Sequence, residues 1–316
     1  MPVSGLPTLG ALPAPAVAAR LRGAGLALRC GPLVFRVRSP LASVAAHLAA
    51  LYRDHPLADV GGFADFVVAV APVRGVRRWL RPQVRFLFDG EPPFNPMPRA
   101  QAPAVLEWGM NWCVGAHAHA WLVLHAAVVA RGDRALLLPG PPGAGKSTLC
   151  AALVHSGWRL LSDELALVRP GDGLVEPVPR PVSLKGAGVR VIRERFPGAR
   201  LGATLRETRK GDLAFMAPPP ASVAAMGRPA RPCWIVVPRF DPGGPRARLE
   251  PRRRGRMLVW LARNAFNSSV HGEAGFDRLA DVVAGCACHA LSYRDIDAAL
   301  AALDGLAPAM AETHVA

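Results

Sequence analysis

The fold is decided by the stretch "LLLPGPPGAGKSTL", Leu136 to Leu149. An apolar run typical of a buried strand leads into a turn rich in glycine and proline, and Lys-Ser-Thr then begins a segment with helical character. Within it, "GPPGAGKS" from Gly140 to Ser147 fits the pattern G-x-x-x-x-G-K-[ST] at every defined position. The sequence therefore predicts a strand, a phosphate-binding loop and a helix, in that order.

The residue types of this stretch suit the binding of a nucleotide. Its glycines allow the backbone to wrap around phosphate oxygens with N–H groups pointing inward, and the helix N-terminus adds positive potential. Lys146 would reach the β- and γ-phosphates of ATP, and the Ser147 hydroxyl would ligate Mg²⁺. An ordinary glycine-proline turn is the alternative, which the strand, the helix and Lys-Ser in register disfavour. The candidate nucleotide-binding residues are Gly140, Pro141, Pro142, Gly143, Ala144, Gly145, Lys146, Ser147 and Thr148.

A pair of acids follows the predicted helix. In "WRLLSDELALV", residues 158 to 168, Asp163 and Glu164 end an apolar run shortly after Lys146. A carboxylate that holds the magnesium shell belongs at a strand end, so residue type and position fit, and the short spacing suits a compact kinase core. One acid would position the metal while the other accepts a proton from an attacking hydroxyl. A solvated turn between two strands is the alternative.

His125 lies in the apolar strand that precedes the loop. A lone histidine in such a strand is more often a core residue hydrogen-bonded to backbone, and the sequence alone favours that interpretation. The strand is followed by Arg131-Gly132-Asp133, a turn that predicts a hairpin. The hairpin could return His125 towards the phosphates, so a functional role stays open.

The composition predicts a globular protein with a sizeable core and a strongly basic surface. The chain is 51% hydrophobic and carries a formal net charge of +15. The densest basic cluster, "PRRRGR" at 251 to 256, has little aromatic interleaving, so a solvated arginine face or a dock for an acidic partner is favoured over nucleic acid.

The only lysines are Lys146, Lys185 and Lys210. In an arginine-biased chain, a retained lysine indicates a place that needs a compact ammonium on a flexible stem. Lys185 and Lys210 are therefore candidates for contacts with phosphate or an acidic substrate, and equally for plain surface residues.

The cysteines are scattered without a C-x-x-C pair, which favours buried reduced thiols over a disulfide framework or metal site. No long uninterrupted apolar run and no secretory leader pattern is evident, so we expect a soluble, cytoplasmic protein with no membrane partner.

Three parts are predicted along the chain. Residues 1–20, rich in Pro, Ala and Gly, are expected to be poorly ordered. Residues 21–100 read as a small α+β portion, and the prolines of "EPPFNPMPRAQAP", 91 to 103, mark its end. Residues 101–316 would form the catalytic domain.

These residues together resemble the HPr kinase/phosphorylase family. That family has a histidine in the strand before the loop, a loop of the form G-x-x-G-x-G-K-S, and paired acids closing a "G-H-R-L-x-x-D-D" stretch. His125, the loop glycines, Lys146, Ser147 and Asp163 fall on matching positions, and Glu164 replaces the second aspartate. The resemblance implies an α/β fold: a P-loop kinase core of the HPr kinase/phosphoenolpyruvate-carboxykinase type, a mixed sheet flanked by helices, with a smaller α+β N-terminal portion.

Later segments are similar to the HPr-kinase-related "kinase A" type proteins found beside PqqD-like peptide carriers. These segments are "PVPRPVSLKG", "ETRKGDLAFMAPP" and "NAFNSSVHGEAGFDRLADVV". The resemblance implies an ATP- and Mg²⁺-dependent kinase for a serine or threonine hydroxyl of a protein or modified peptide, in a family where homo-oligomers are common. Pro142 replaces a small polar loop residue and the glycine-rich stretch after the second acid has no counterpart, so neither a reverse phosphorylase reaction nor HPr as acceptor is implied.

The predicted roles follow from this mechanism. The catalytic candidates are Asp163, His125 and Lys146, and the metal ligands are Ser147 and Glu164. Asp163 would orient or deprotonate the hydroxyl, and His125 would support charge on the transferring phosphoryl group. Two alternatives stay open: a nucleotide-dependent switch or accessory ATPase for peptide modification, and a kinase for a small molecule such as free serine. "NAFNSSV", 264 to 270, could line a substrate cleft, but a helix cap is favoured.

Overall fold

The computed structural model describes residues 5–75, 80–208 and 211–306, and Lys210 lies outside these ranges. The strands are, in chain order, β1 Leu26–Cys30, β2 Leu33–Arg38, β3 Phe66–Pro72, β4 Gln83–Phe88, β5 Met97–Pro98, β6 Leu122–Arg131, β7 Arg134–Pro139, β8 Arg159–Ser162, β9 Leu165–Val168, β10 Val175–Glu176, β11 Val182–Lys185, β12 Leu205–Thr208, β13 Gly211–Met216, β14 Arg231–Phe240, β15 Ala247–Pro251 and β16 Ala287–Tyr293. The helices are α1 Ala14–Arg22, α2 Ala42–Leu51, α3 Ala102–His117, α4 Lys146–His155, α5 Ala187–Arg195, α6 Pro220–Ala224, α7 Arg254–Arg263, α8 Ser268–Ala284 and α9 Ile296–Leu306.

The chain forms two compact units, and neither is continuous in sequence. Unit 1 comprises Met1–His117, Val178–Arg193 and Gly198–Gly227, and unit 2 comprises Ala118–Pro177, Glu194–Pro197 and Arg228–Ala316. The single boundary near residue 100 predicted from the sequence therefore differs from the observed division. The chain leaves unit 2 after Pro177 and returns to unit 1.

Unit 1 contains two small sheets. The first has five strands in the order β1-β2-β3-β4-β5, and the second has three strands in the order β11-β13-β12. Helix α3 packs on β3 and β4. The prolines predicted to mark a domain boundary lie within unit 1: three in the segment between β4 and β5, one in β5, and Pro103 in the first turn of α3, where its missing N–H is not needed.

The N-terminal segment differs from its prediction. A composition rich in Pro, Ala and Gly predicted poor order over residues 1–20, but α1 begins at Ala14 and buries Val17 and Leu21. Leu9, in a short 3-10 turn before it, is also buried. The apolar residues at i and i+4 give this alanine-rich helix a face to bury, and burial rather than composition decides its order.

Unit 2 is built on an eight-stranded mixed sheet. Its order is β10-β9-β6-β7-β14-β16-β15, with β8 also paired to β6. Strands β7, β14 and β16 run parallel, whereas β6 is antiparallel to its neighbours β7, β8 and β9. The observed mixed sheets with helices agree with the predicted α/β class, and the β6–β7 hairpin is confirmed at Arg131–Arg134.

The two faces of β6 are covered by different helices. Its alternate residues Leu122, Leu124, Ala126 and Val128 join one core with residues of α7 and α8. Because successive side chains of a strand point to opposite faces, the residues between them face the other side. Helix α4 also contacts β6 and contributes nothing to the α7–α8 core, so it covers that second face.

Candidate functional site

The predicted strand, loop and helix are present around the glycine loop, residues 140–147. Strand β7 ends at Pro139 and α4 begins at Lys146. Gly143 and Gly145 have φ of +85° and +88°, a left-handed conformation that glycine adopts without steric cost. Pro141 and Pro142 are exposed. The loop backbone is therefore open to solvent just before the helix N-terminus.

Phe240 at the end of β14 and Tyr293 at the end of β16 hydrogen-bond to the loop backbone. Neither residue was predicted from the sequence to belong to the site. The Phe240 N–H donates to the carbonyl oxygen of Ala144 at 3.1 Å. The Tyr293 hydroxyl donates to the carbonyl oxygen of Gly145 at 3.3 Å. Burial raises the pKa of Tyr293, so its hydroxyl remains a donor at neutral pH. Their position at the ends of apolar strand patterns was the only sequence signal.

The close approach of Tyr293 explains why residue 145 is glycine. A Cβ placed on Gly145 would lie 2.4 Å from the Tyr293 hydroxyl oxygen and 3.2 Å from the Phe240 Cβ. A side chain would therefore clash, in addition to the strain of its positive φ. Both the positive φ and the lack of space for a side chain thus require glycine at the residue that precedes α4.

Lys146 lies across the loop. Its side chain is buried, and the ammonium donates to the carbonyl oxygens of Gly140 at 2.5 Å and Pro141 at 3.1 Å. Placing a cation in the turn itself concentrates positive charge at the position where the loop amides and the helix N-terminus already attract an anion.

Strand pairing brings the acid pair, Asp163 and Glu164, level with the loop. Ala126 of β6 is opposite Pro139, the last residue of β7. On the other side of β6, the Ala126 N–H donates to the carbonyl oxygen of Glu164 at 3.2 Å. The loop entrance and the acid pair are thus two strand spacings apart, roughly 10 Å between backbones.

Asp163 faces the helix that the loop begins. Val128 pairs with Ser162 and His125 with Leu165, which by interpolation sets Asp163 opposite Ala127, on the α4 face of the sheet. Asp163 is buried. Burial and then the charge of Asp163 raise the pKa of Cys150 in α4, as expected for a carboxylate on the face that this helix covers.

Glu164 has an unusual backbone. Its φ is +94°, and it is half-buried. Such a conformation in a residue other than glycine stores on the order of 1–3 kcal/mol of strain, and residues of this kind cluster at functional sites. The pair lies in the turn between β8 and β9, with Asp163 buried and Glu164 half-buried, so this turn is only partly solvated.

His125 is brought to the same part of the sheet. It is half-buried, one residue from Ala126, and its partner Leu165 follows Glu164. Strand alternation puts it on the α4 face with Asp163. Its ring lies 5.6 Å, centroid to centroid, from that of Phe266, an exposed residue in the turn before α8 that was not predicted.

The donor set fits magnesium only when phosphate completes it. Ser147 and Thr148 lie half-buried in the first turn of α4. Within the ranges that the structure describes, no three His, Cys, Asp or Glu side chains converge on a metal position. Mg²⁺ usually takes one or two protein oxygen ligands together with substrate phosphates, and the Ser147 hydroxyl and Glu164 carboxylate are ligands of that type.

The remaining predicted residues lie elsewhere or act differently. Lys185 ends β11 in unit 1. Asn267 is the N-cap residue of α8. The sequence favoured a helix cap in this segment, but the Asn267 side chain makes no capping hydrogen bond to the helix. It bonds β6 instead, accepting from the Val123 N–H at 2.9 Å and donating to the Trp121 carbonyl at 2.8 Å. The Asn267 side chain therefore satisfies backbone groups at the start of β6 rather than the free N–H groups of the helix N-terminus.

The cysteines are free, and five of the six are buried, as predicted. In the described ranges, no helix combines the length and apolar character needed to cross a bilayer.

No protein-family model matches this chain, and no curated protein matches it. Among solved structures, it is similar to the Hpr(Ser) kinase/phosphatase from Coxiella burnetii, at 12% sequence identity and a TM-score of 0.23. The match covers 58% of this chain and 92% of the other. A similarity at that TM-score carries no argument, so the functional inference rests on the loop, the acid pair and His125.

Proposed function

We propose that the protein is an ATP- and Mg²⁺-dependent kinase that transfers the γ-phosphoryl group to an alcohol. The observation that carries the proposal is the arrangement across three adjacent strands. The glycine loop follows β7, His125 lies on β6, and the acid pair lies between β8 and β9, all at one level of the sheet. A phosphate-binding loop alone does not distinguish kinases from switches, but acids and a histidine at the level of its entrance suit phosphoryl transfer.

Each residue has a role in this proposal. Lys146 and the loop amides hold the phosphates, with Lys146 exchanging its loop carbonyls for phosphate oxygens. Ser147 and Glu164 would hold Mg²⁺, which would neutralise phosphate charge when bound. The three glycines of the loop, Gly140, Gly143 and Gly145, shape the cradle.

The transfer step uses Asp163 and His125. A hydroxyl oxygen forms a bond to the γ-phosphorus, the bond from that phosphorus to the bridging oxygen breaks, and ADP leaves. The hydroxyl proton passes to the Asp163 carboxylate. His125 supports the charge on the transferring group. Because such catalysis is positioning and electrostatics, rigid placement of these residues on strands suits it.

The acceptor belongs to the proposal as well. The sequence resemblance to HPr-kinase-related proteins of the "kinase A" type supports a serine or threonine hydroxyl on a protein or modified peptide, presented with a PqqD-like carrier in the cytoplasm. The same resemblance supports a homo-oligomer.

Transfer of labelled γ-phosphate tests the function. ATP–Mg²⁺ is incubated with wild type or Asp163→Asn and a lysate of the source cells, which is then separated into protein and small-molecule fractions. We expect a labelled protein or peptide that is absent with Asp163→Asn. Label in a metabolite would instead identify a small-molecule kinase. Tight ATP binding without any labelled acceptor would contradict the proposal and favour a nucleotide-dependent switch.

A further inference from the structure

Phe240 stands at the loop on the side away from His125 and the acid pair. Strands β7, β14 and β16 are parallel, so their carboxyl ends meet at one edge of the unit 2 sheet. The glycine loop follows the first of these ends, and Phe240 is the last residue of the second. In sheets of parallel strands, ligands bind at this edge, between the loops that follow neighbouring strands.

The position of Phe240 is fixed by a hydrogen bond, a ring contact and its close approach to Gly145. Its N–H donates to the Ala144 carbonyl at 3.1 Å, and its Cβ lies 3.2 Å from where a Cβ on Gly145 would be. Its ring meets that of Tyr293 in a T-shaped contact, with 5.6 Å between centroids. The ring is therefore held beside the loop rather than free on the surface, and little conformational entropy would be lost on binding.

Phe240 as a whole residue is nonetheless 46% exposed. A phenylalanine held next to a polar loop by its backbone, yet left with nearly half its surface in water, gains little from packing. Aromatic faces of this kind stack on nucleobases, and the interaction tolerates any base because each has a π face.

The two sides of the loop are chemically different. On the β6 side lie groups suited to phosphoryl transfer, namely His125, Asp163 and Glu164. On the β14 side, Phe240 is the exposed aromatic residue adjoining the loop in the described part of the chain. A nucleotide whose phosphates occupy the loop and whose γ-phosphate is directed to the acids would extend its base towards β14.

We propose that Phe240 is the stacking platform for the base of the bound nucleotide. This inference rests on the proposed nucleotide binding at the glycine loop and adds a base subsite to it. A stacking face without hydrogen-bond partners selects for an aromatic base but discriminates weakly between purines.

Two ligands separate the base from the phosphates: ATP–Mg²⁺ and inorganic tripolyphosphate–Mg²⁺. Dissociation constants are measured by calorimetry for wild type, Phe240→Ala, Phe240→Leu and Phe240→Trp. We expect Phe240→Ala to weaken ATP roughly tenfold and tripolyphosphate less than twofold. Phe240→Leu should behave like the alanine variant, because it keeps apolar volume without a π face, whereas Phe240→Trp should bind ATP at least as tightly as wild type.

Phe276→Ala is the matched control. Phe276 is exposed to a similar extent, 47%, but lies on α8, and its removal should change neither ligand's affinity. Circular dichroism of each variant establishes that the fold is retained.

The outcomes distinguish this inference from the function on which it rests. If wild type binds neither ligand, nucleotide binding at the loop is wrong, and the base platform is wrong with it. If wild type binds both, and Phe240→Ala weakens both equally or weakens neither, the proposed function stands but the stacking role is overturned, leaving Phe240 as a brace of the loop.

Discussion

Gly145 is the residue at which backbone conformation and packing both exclude a side chain. It is left-handed, and the Tyr293 hydroxyl occupies the space where a Cβ would be. Gly157 has a similar φ of +94° but no atom within 4 Å of its own Cβ position. Alanine substitution at Gly157 would introduce only the strain of a positive φ, whereas at Gly145 it would add a clash with Tyr293.

Gly145→Ala should abolish measurable nucleotide binding, whereas Gly157→Ala should retain it. The second variant pays only the strain of a left-handed residue, about 1–2 kcal/mol of unfolding free energy. Calorimetry with ATP–Mg²⁺ and urea unfolding of both variants check this. Normal ATP affinity in Gly145→Ala would mean that the loop tolerates displacement of Tyr293.

Lys146 is the charge held inside the loop. Under the proposed function, Lys146→Ala should lower the turnover number on the order of 10²-fold or more, because the charge that stabilises the transferring phosphoryl group is lost. Lys146→Arg keeps a charge but not its compact shape, and it should recover only part of the rate. Single-turnover transfer of labelled phosphate measures both, and near-normal turnover in Lys146→Ala would contradict the mechanism.

His55 gives unit 1 a pH dependence. Burial lowers its pKa to about 4, partly offset by its hydrogen bond to the Pro179 carbonyl at 2.9 Å. Between pH 6.5 and 4 the unfolded chain binds a proton at this residue that the folded chain does not, so stability falls as pH falls. From pH 7 to pH 5 this group should cost about 2 kcal/mol of unfolding free energy.

The contribution of His55 is isolated by comparison with His55→Gln, which can donate to the same carbonyl but does not titrate. Urea unfolding at both pH values should show a smaller loss for the variant. An equal loss in the two proteins would assign the acid sensitivity to other groups.

At the scale of elements, the β6–β7 hairpin and the strand formed by β8 and β9 determine the candidate site. The hairpin reverses the chain so that His125 returns to the level of the loop entrance. The strand that follows α4 pairs on the other edge of β6, which sets the acid pair at that same level. The hydrogen bonds between these strands thus fix the distance between the glycine loop and the acid pair, which local sequence preferences do not determine.

A second element-scale feature is the segment after β10, which is held in unit 1 by a buried ion pair. Arg180 donates to Glu107 of α3 at 2.6 Å, to Asn111 at 2.6 Å and to the Tyr52 hydroxyl at 3.3 Å. Burial alone would raise the pKa of Glu107, but the charge of Arg180 and the contact with His47 bring it below its ordinary value.

Removing one partner of this pair should be costly. Arg180→Met leaves the buried Glu107 carboxylate with only His47 and the Tyr52 hydroxyl as partners, and should lower the unfolding free energy by about 3–5 kcal/mol. The double variant Arg180→Met with Glu107→Leu removes both charges and should recover much of that loss. Thermal and urea unfolding measure the two variants, and a double variant no more stable than the single one would show that Glu107 is satisfied by its other partners.

At the scale of the whole molecule, the two units share the chain in alternation. Residues 178–193 and 198–227 belong to unit 1, where β11 and β13 pair and bury Val182, Leu184, Leu213 and Phe215. A cut before unit 2 would therefore leave part of unit 1 without the rest of its core.

A fragment comprising residues 118–316 should be insoluble or aggregated, whereas the full chain should be monodisperse. It retains Arg180 and the β11–β13–β12 sheet but lacks α3 and the five-stranded sheet, so apolar surface of unit 1 is exposed. Expression followed by size-exclusion chromatography checks this. A soluble, cooperatively unfolding fragment would contradict the division of the chain described above.

The sequence by itself determined the glycine loop and the elements around it. Gly140 to Ser147, the turn at Arg131–Asp133 and the apolar runs on either side are local signals, because glycine, proline and period-two alternation act on the nearest residues. They predicted the hairpin, α4, and a strand or strand pair around Asp163 and Glu164, which lie between β8 and β9. Local signals failed where burial decides: α1 is ordered by packing, and Asn267 bonds β6 instead of capping α8.

Only the tertiary structure decided the site and the division into units. The pairing of β6 with both β7 and β8–β9 aligns His125, the acid pair and the loop, and the parallel run of β7, β14 and β16 sets Phe240 and Tyr293 against Ala144 and Gly145. Some of these contacts join residues far apart in the sequence: Tyr293 and Gly145 are 148 positions apart, and Arg180 and Glu107 of α3, within unit 1, are 73 apart. Strand order and the burial of a charge depend on the free energy of the whole sheet and core, which no stretch of sequence contains.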